Sequence, residues 1–176
     1  MDFYERLKPW LFDQIATELR SAHRILDLGC GDCKLVGWLA EAHGKETIGV
    51  DISDLVFPAG GNGVSCIRAD AQSLDFLAQE TIDAVVLFWS LHEMAHPLAV
   101  LQEAKRVLRP LGEILIIEFP RGSLAQRLWN EAYYSIGELA AMLKKTGFWR
   151  PEVKPIVHRQ LSWAKGFKVL HPEGGK

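Results

Sequence analysis

Asp27, Gly29 and Gly31, with Asp51 about twenty residues further on, have the types and spacing to hold a small cationic ligand. The first three lie in Arg24-Ile25-Leu26-Asp27-Leu28-Gly29-Cys30-Gly31-Asp32-Cys33-Lys34, which reads as a buried strand running into a glycine loop and then a helix. Lacking a Cβ, the glycines allow unusual backbone angles and let a ligand lie against N–H groups at the mouth of the helix. Asp27 puts a carboxylate at the strand end, so the ligand is expected to carry a cationic group. A nicotinamide-binding turn would read G-x-G-x-x-G with no acid there, whereas Lys34 holds the third glycine position here. Thr47-Ile48-Gly49-Val50-Asp51-Ile52 reads as a second buried strand ending in an acid. A carboxylate in that place can accept two bonds from a vicinal diol such as a ribose, each charge-assisted bond contributing roughly 1.5–3 kcal/mol net.

Cys30 and Cys33 have C-x-x-C spacing, which elsewhere serves redox chemistry or half of a zinc site. A structural zinc needs a second pair of ligands, and Cys66, the remaining cysteine, has no histidine near it in sequence. Neither a metal nor a redox role is therefore expected of the three.

These groups need a framework, and the chain supplies alternating strands and helices, which argues for one α/β domain over residues 1–176. A helix over residues 3–20 carries Phe3, Leu7, Trp10, Leu11, Ile15 and Leu19 near helical spacing, with Pro9 marking a break or first turn. Strands follow near 24–28 and 46–51, separated by a helix to about residue 42. An irregular segment through Pro58-Ala59-Gly60-Gly61-Asn62-Gly63 leads to a third strand, and Asp83 to Trp89 makes a fourth. Leu98, Leu101, Ala104, Val107 and Leu108 form an apolar helix face stopped by Pro110-Leu111-Gly112. Ser135-Ile136-Gly137-Glu138 is a capping box and Gly147 a C-terminal signal, so 136–146 is a helix. Two strands, near 152–158 and 161–170, close the chain as an antiparallel hairpin.

D-x-G-x-G after the first strand and a terminal Asp after the second resemble the class I S-adenosylmethionine-dependent methyltransferases. The resemblance extends to Ile67-Arg68-Ala69-Asp70-Ala71, to Asp83 through Met94, and to Glu103 through Ile117, in the family's order. It covers residues 24–119 closely and 135–169 loosely. It implies a doubly wound, mostly parallel seven-stranded sheet with helices on both faces and a C-terminal antiparallel hairpin. It also implies S-adenosyl-L-methionine as cofactor, held by Asp27, Leu28, Gly29, Cys30 and Gly31 of the first loop and by Asp51 and Ile52 after the second strand. Asp70 and Ala71 would meet the adenine, and Phe88 and Trp89 would complete the cofactor site. His92, in the loop that faces the methyl group in the family, is the candidate general base, because its ordinary pKa lies near neutrality. Glu93, Glu118 and Tyr133 are candidates for substrate contact. Two positions depart from the family pattern. Cys33 stands where many members have glycine, which would narrow the pocket, and Leu111 replaces the first glycine of a Pro-Gly-Gly turn without consequence.

The acceptor expected is a small molecule. Phe119-Pro120-Arg121-Gly122-Ser123 through Trp129-Asn130-Glu131-Ala132-Tyr133-Tyr134 falls where the family builds specificity, although its aromatics also fit the core face of a helix. The N-terminal helix, with Tyr4 and Trp10, is a candidate lid. A non-catalytic module that binds or senses the cofactor is one alternative. Another is a macromolecular acceptor such as RNA, since Lys144 to Lys168 holds seven Lys or Arg against Glu152 alone. Phe88-Trp89-Ser90-Leu91 lacks the Asn/Asp-Pro-Pro-aromatic motif of enzymes acting on exocyclic amines, and a net charge of −2 gives no general attraction to nucleic acid, which is not expected as a partner. At 176 residues and 48% apolar, the chain can bury one core. No basic region followed by an apolar run opens it, and the apolar runs are too short to span a bilayer, so a soluble, cytoplasmic protein is expected. The oligomeric state is not legible.

Overall fold

The structure, a computed structural model, describes residues 3–53 and 63–169. The segment Pro58 to Asn62 and the end of the last expected strand, Leu170, lie outside the described residues. The elements are α1 (Phe3–Glu18), β1 (Arg24–Leu28), α2 (Lys34–His43), β2 (Glu46–Asp51), β3 (Val64–Arg68) and β4 (Ile82–Phe88). A single 3-10 turn (Leu91–Glu93) follows, then α3 (Pro97–Val107), β5 (Leu108–Glu118), α4 (Leu124–Trp129), α5 (Ile136–Lys145), β6 (Trp149–Ile156) and β7 (Leu161–Phe167). The strands form one sheet in the order β3-β2-β1-β4-β5-β7-β6, parallel from β3 to β5, with β7 antiparallel to both neighbours.

Helices cover both faces, which is why the inner strands read as continuous apolar runs. Successive strand side chains alternate between two cores. Leu26, Leu28, Val85, Leu87, Ile114 and Ile116 pack with α3 and α5 through Val100, Leu101, Ala104, Leu139 and Leu143. Ile25, Ala84, Val86, Leu115 and Ile117 pack with α1 and α2 through Leu11, Ile15, Leu35 and Leu39. Strand order reverses between β1 and β4, so their connections leave in opposite directions and open a crevice at the carboxyl ends.

Two expectations based on proline need correction. The first helix does not break at Pro9, which lies inside α1. The missing donor and the ring's clash with the preceding turn cost about 3 kcal/mol, but Tyr4, Leu11, Ile15 and Ala16 are buried along the same helix and hold it on the sheet. Pro110-Leu111-Gly112 does not stop α3 either. The helix ends at Val107, and the three residues form a bulge within β5, where the pairing jumps from Ile82–Leu108 to Ala84–Glu113. Leu111 takes a left-handed φ of 64° there, the conformation the absent glycine would favour.

The capping box at α5 is present. Ser135 Oγ accepts from the Glu138 amide at 3.2 Å, and the Glu138 carboxylate accepts from the Ser135 amide at 2.7 Å. Ser135→Ala should lower stability by about 1 kcal/mol, read as a lower urea midpoint with an unchanged slope. An unchanged midpoint would mean that packing of Leu139 and Leu143 alone sets the helix start.

Candidate active site

The glycine loop is pinned from both sides. The Gly29 and Cys30 amides donate to Val50 O at 2.7 and 3.1 Å, and Ser90 Oγ donates to Leu28 O at 2.7 Å. Gly29 has φ +75°, and a Cβ on it would fall 2.4 Å from Ser90 Cβ, so the β1 and β4 loops touch only because this residue is glycine. Gly31, at φ +53°, faces open space. Its amide donates to Asp51 Oδ2 at 2.8 Å, while Asp51 Oδ1 accepts from the Ser53 amide at 2.9 Å and Ser53 Oγ at 2.6 Å. Burial alone would raise the Asp51 pKa, but these bonds outweigh it and hold Asp51 below the ordinary carboxylate range.

Asp27, on the α1 and α2 side of the sheet, has the opposite environment. It is 2% exposed, and its Oδ1 is buried without a partner among the described residues. Desolvation, with the nearby Asp51 charge added, pushes its pKa up to about 8. Asp27 is thus mostly protonated at neutral pH until a cation reaches it.

Two adjoining cavities, about 240 and 370 Å³, flank the loop and share Gly29, Asp51, Ser90 and Glu93. The first is lined by Ile52, Asp70, Ala71 and Met94, and the second by Asp27, Cys30, Phe88 and Trp89. Asp70 Oδ1 accepts from the Gln72 amide at 2.9 Å. Leu28 is the one expected loop residue whose side chain faces away, into the core.

Cys33 does not narrow either cavity. At φ 60° it starts α2 in a left-handed conformation, 2% exposed, and its sulfur is bonded to that of Cys66 on β3. The C-x-x-C spacing therefore does not pair its own cysteines. Cys30 keeps a buried thiol 3.4 Å from Cys33 Sγ, its pKa pushed up by burial and by the charges of Asp27 and Asp51.

A third cavity of about 280 Å³ meets the second at Trp89 and Glu93. His92 lies in its wall on the 3-10 turn, its side chain 5% exposed. The carboxylate of Glu118, at the end of β5 and fully buried, sits 2.9 and 3.0 Å from His92 Nδ1 and accepts from the His92 amide at 3.1 Å and the Phe119 amide at 3.1 Å. Glu118 therefore orients the ring from behind, whereas substrate contact was the expectation. Nε2 is left facing Glu131, at 3.2 Å, with Glu93 at 4.0 Å. Burial would lower the His92 pKa, but the hydrogen bond and charge of Glu118, with Glu93 and Glu131, raise it above the ordinary value. Tyr133 donates to Glu131 at 2.8 Å and stands edge-on to the His92 ring at 4.7 Å.

Trp129 and Tyr133 line this cavity as aromatics of the segment that the sequence places where specificity is built, whereas the part of Glu131 carried no sequence signal, and Tyr4, read with Trp10 as a lid, forms part of the wall. Helix α4 ends at Trp129, with Asn130 in a left-handed cap, so Tyr133 comes from a non-helical segment rather than the core face of a helix. Tyr4 is buried against Trp89, Phe119 and Trp129, and its hydroxyl accepts from the Ala125 amide at 2.9 Å. Trp10, 45% exposed, borders a separate cavity with Gln14, Lys154 and Trp163 and takes no part in the site.

Folded Asp27 holds its proton up to about pH 8, whereas the unfolded carboxyl loses it near 3.8. The folded state therefore binds more protons over that window, and stability falls as pH rises through it. Asp27→Asn should remove this decline, gaining melting temperature on the parent steadily between pH 5 and pH 8 (each tenfold in ionisation is worth about 1.4 kcal/mol). Parallel melting curves for the two proteins would mean that Asp27 ionises freely in the fold.

Residues 26–116 match the family model described as a methyltransferase domain. A ubiquinone/menaquinone biosynthesis C-methyltransferase of Syntrophotalea carbinolica is 28% identical over 82% of this chain and 74% of its own length. The methyltransferase GfsG of Streptomyces halstedii is 32% identical over 68% of this chain, which spans 46% of that relative. Among solved structures, the [4+2]-cyclase SpnF superposes with a TM-score of 0.78 at 17% identity, covering 92% of this chain and 80% of that one. Human N-acetylserotonin methyltransferase in complex with S-adenosylmethionine superposes at 0.72 and 19% identity, covering 89% and 50%; at such identities both share the fold. With the family model covering more than half of its length, the chain belongs to the methyltransferase domain family and is a class I S-adenosylmethionine-dependent methyltransferase.

Proposed function

We propose that this chain methylates a small-molecule acceptor bound in the cavity that His92 borders, and that His92 serves as the base when the acceptor must lose a proton. The observation that carries this reading is the shared wall. Trp89 and Glu93 line both the cavity beside the glycine loop and the cavity in front of His92, so a group held in one can meet a group held in the other.

The residues of the loop fit the cofactor. Asp27 Oδ1, buried and without a partner, suits a cationic group, and the open space at Gly31 leaves room for a ligand against the backbone. Asp51 already accepts three bonds of the roughly four a carboxylate can take. Holding both hydroxyls of a ribose then requires Ser53 Oγ to give up its place. Asp70 and Ala71 would border the adenine, with Ile52, 67% exposed, at the rim. When bound, S-adenosylmethionine supplies an electrophilic methyl group.

The chain's own part is alignment, exclusion of water and movement of one proton. Positioning can contribute on the order of 7–11 kcal/mol to such a displacement. Tyr4, Trp89, Phe119 and Trp129 shield the acceptor side, and Glu118 keeps His92 Nδ1 engaged so that Nε2 takes the proton. The imidazolium so formed is stabilised by Glu118.

An RNA acceptor has less support, because the basic bias near the C-terminus is partly consumed inside the fold. Lys165 pairs with Glu18 at 3.0 Å, and Lys168, 5% exposed, pairs with Glu80 at 3.1 Å and donates to Leu108 O. No helix among the described residues is long and apolar enough to cross a membrane.

Calorimetry should find S-adenosylmethionine and its demethylated product binding one to one without competition from NAD, and Asp51→Ala should weaken both by about 10²-fold. A folded parent that binds neither ligand ends this reading.

Once an acceptor panel yields turnover, kcat should rise with pH through an apparent pKa above the ordinary histidine value. His92→Gln should lower kcat by about 10²–10⁴-fold with cofactor affinity retained. Glu118→Gln removes the charge that favours the imidazolium, so its kcat limb should move to lower pH. A limb that stays in place in both variants excludes His92 as the base.

A further inference from the structure

The cavity in front of His92 has a composition that selects on charge. Five aromatic side chains, Tyr4, Trp89, Phe119, Trp129 and Tyr133, make most of its wall, and the acidic side chains there are Glu5, Glu93 and Glu131. Glu5 is matched by Lys8 at 2.6 Å. That leaves Glu93, Glu131 and the buried Glu118 around a single imidazole. Even with His92 fully protonated, three carboxyl groups face one imidazole, so acidic groups outnumber the cation they surround. Among the described residues no lysine or arginine lines this cavity; on the cofactor side Asp51 adds a standing negative charge, with Lys8 and Lys34 also in that wall.

Aromatic faces are themselves negative, and a cation within about 6 Å of a ring centroid gains roughly 0.5–2 kcal/mol depending on how far water is excluded. The wall already attracts one cation from the cofactor side, since Lys8, which lines that cavity, has its Nζ 5.4 Å from the Trp89 centroid. An anionic acceptor would be repelled by the carboxyl groups that outnumber His92, and a neutral one would leave them unanswered.

We infer that the acceptor is a small molecule bearing an ammonium group, held against the aromatic wall with Glu131 and Glu93 as its counter-charges. Glu131 has a second part in this. It now occupies His92 Nε2 at 3.2 Å, and its side chain is 47% exposed. An ammonium group that takes up the Glu131 carboxylate frees Nε2 for the proton of the reacting atom, so binding of the right charge also uncovers the base. The name of acceptor rests on the methyl-transfer reading; the preference for a cation rests on the cavity alone.

Three probes of one shape separate charge from fit: choline, 3,3-dimethyl-1-butanol and 3,3-dimethylbutanoate, which are cationic, neutral and anionic. Each is titrated into protein saturated with S-adenosylhomocysteine, read by tryptophan fluorescence and by saturation-transfer NMR. Choline should bind about tenfold or more tightly than the alcohol, the carboxylate should not bind at the same concentrations, and added salt should weaken choline selectively. Glu131→Gln should reduce choline affinity several-fold and leave the alcohol unchanged, with Glu131→Ala as a second variant and melting temperature as the check on folding. Choline binding no tighter than the alcohol, or not at all, overturns the inference, as does equal loss of both probes in the Glu131 variants. Failure of S-adenosylhomocysteine to bind in the preceding calorimetry would instead count against the methyl-transfer reading, and the same probes on ligand-free protein would still decide the charge preference.

Discussion

The contact between Gly29 and Ser90 sets the scale of the whole site. Two loops leave the sheet where strand order reverses, and nothing in a parallel sheet requires them to meet. They meet because one of them has no side chain at the point of approach, where a Cβ would lie 2.4 Å from its neighbour. Ser90 then closes the contact with its bond to Leu28 O. Once β1 and β4 are tied at this height, Val50 O receives two amides from the same loop, and the Asp51 carboxylate reaches the Gly31 amide. The acids and the aromatic wall are arranged around that fixed floor.

The carboxylates around this floor differ by environment rather than by residue type. Asp51 is held ionised by donors from two directions, while Asp27, on the neighbouring strand and paired in register with Gly49 and Val86, has an unpartnered oxygen and keeps its proton. Glu118 is buried as deeply as Asp27 but has two backbone amides and an imidazole to answer it. One pair of identical side chains thus offers both a standing negative charge and a latent one that a cation can call out.

The frame was legible because local signals and packing agreed. The strand at 24–28 and the helix opened by Ser135 and Glu138 are found where periodicity and capping put them, since nothing in the tertiary structure opposes either. Pro9 and Pro110 misled because a local rule met a stronger demand, a buried helix face in one case and the continuation of β5 in the other. Of the candidate site, the glycines and strand-end acids could be read because they fall at fixed offsets from strands. His92 and Glu118, 26 residues apart, were each noticed, but the bond between them is a product of the β4–β5 pairing and has no local pattern. Glu131 and Tyr4 carry still less signal, because each matters only through what folds against it from a distant part of the chain.

The sheet order gives the site a place in time as well as in space. The last of the described strands is not at the sheet's edge: β7 lies between β5 and β6, with Ser162 opposite Glu118. Among the described elements, the strand that covers the end of β5 is therefore the one synthesised after all the others. Until then β5 has an open edge, and the carboxylate that orients His92 has no wall on that side. The half of the chain that carries the glycine loop precedes this pairing, whereas the surroundings of the histidine pair are completed only when β7 is laid against β5, so the cofactor side of the site can take shape before the side in front of His92.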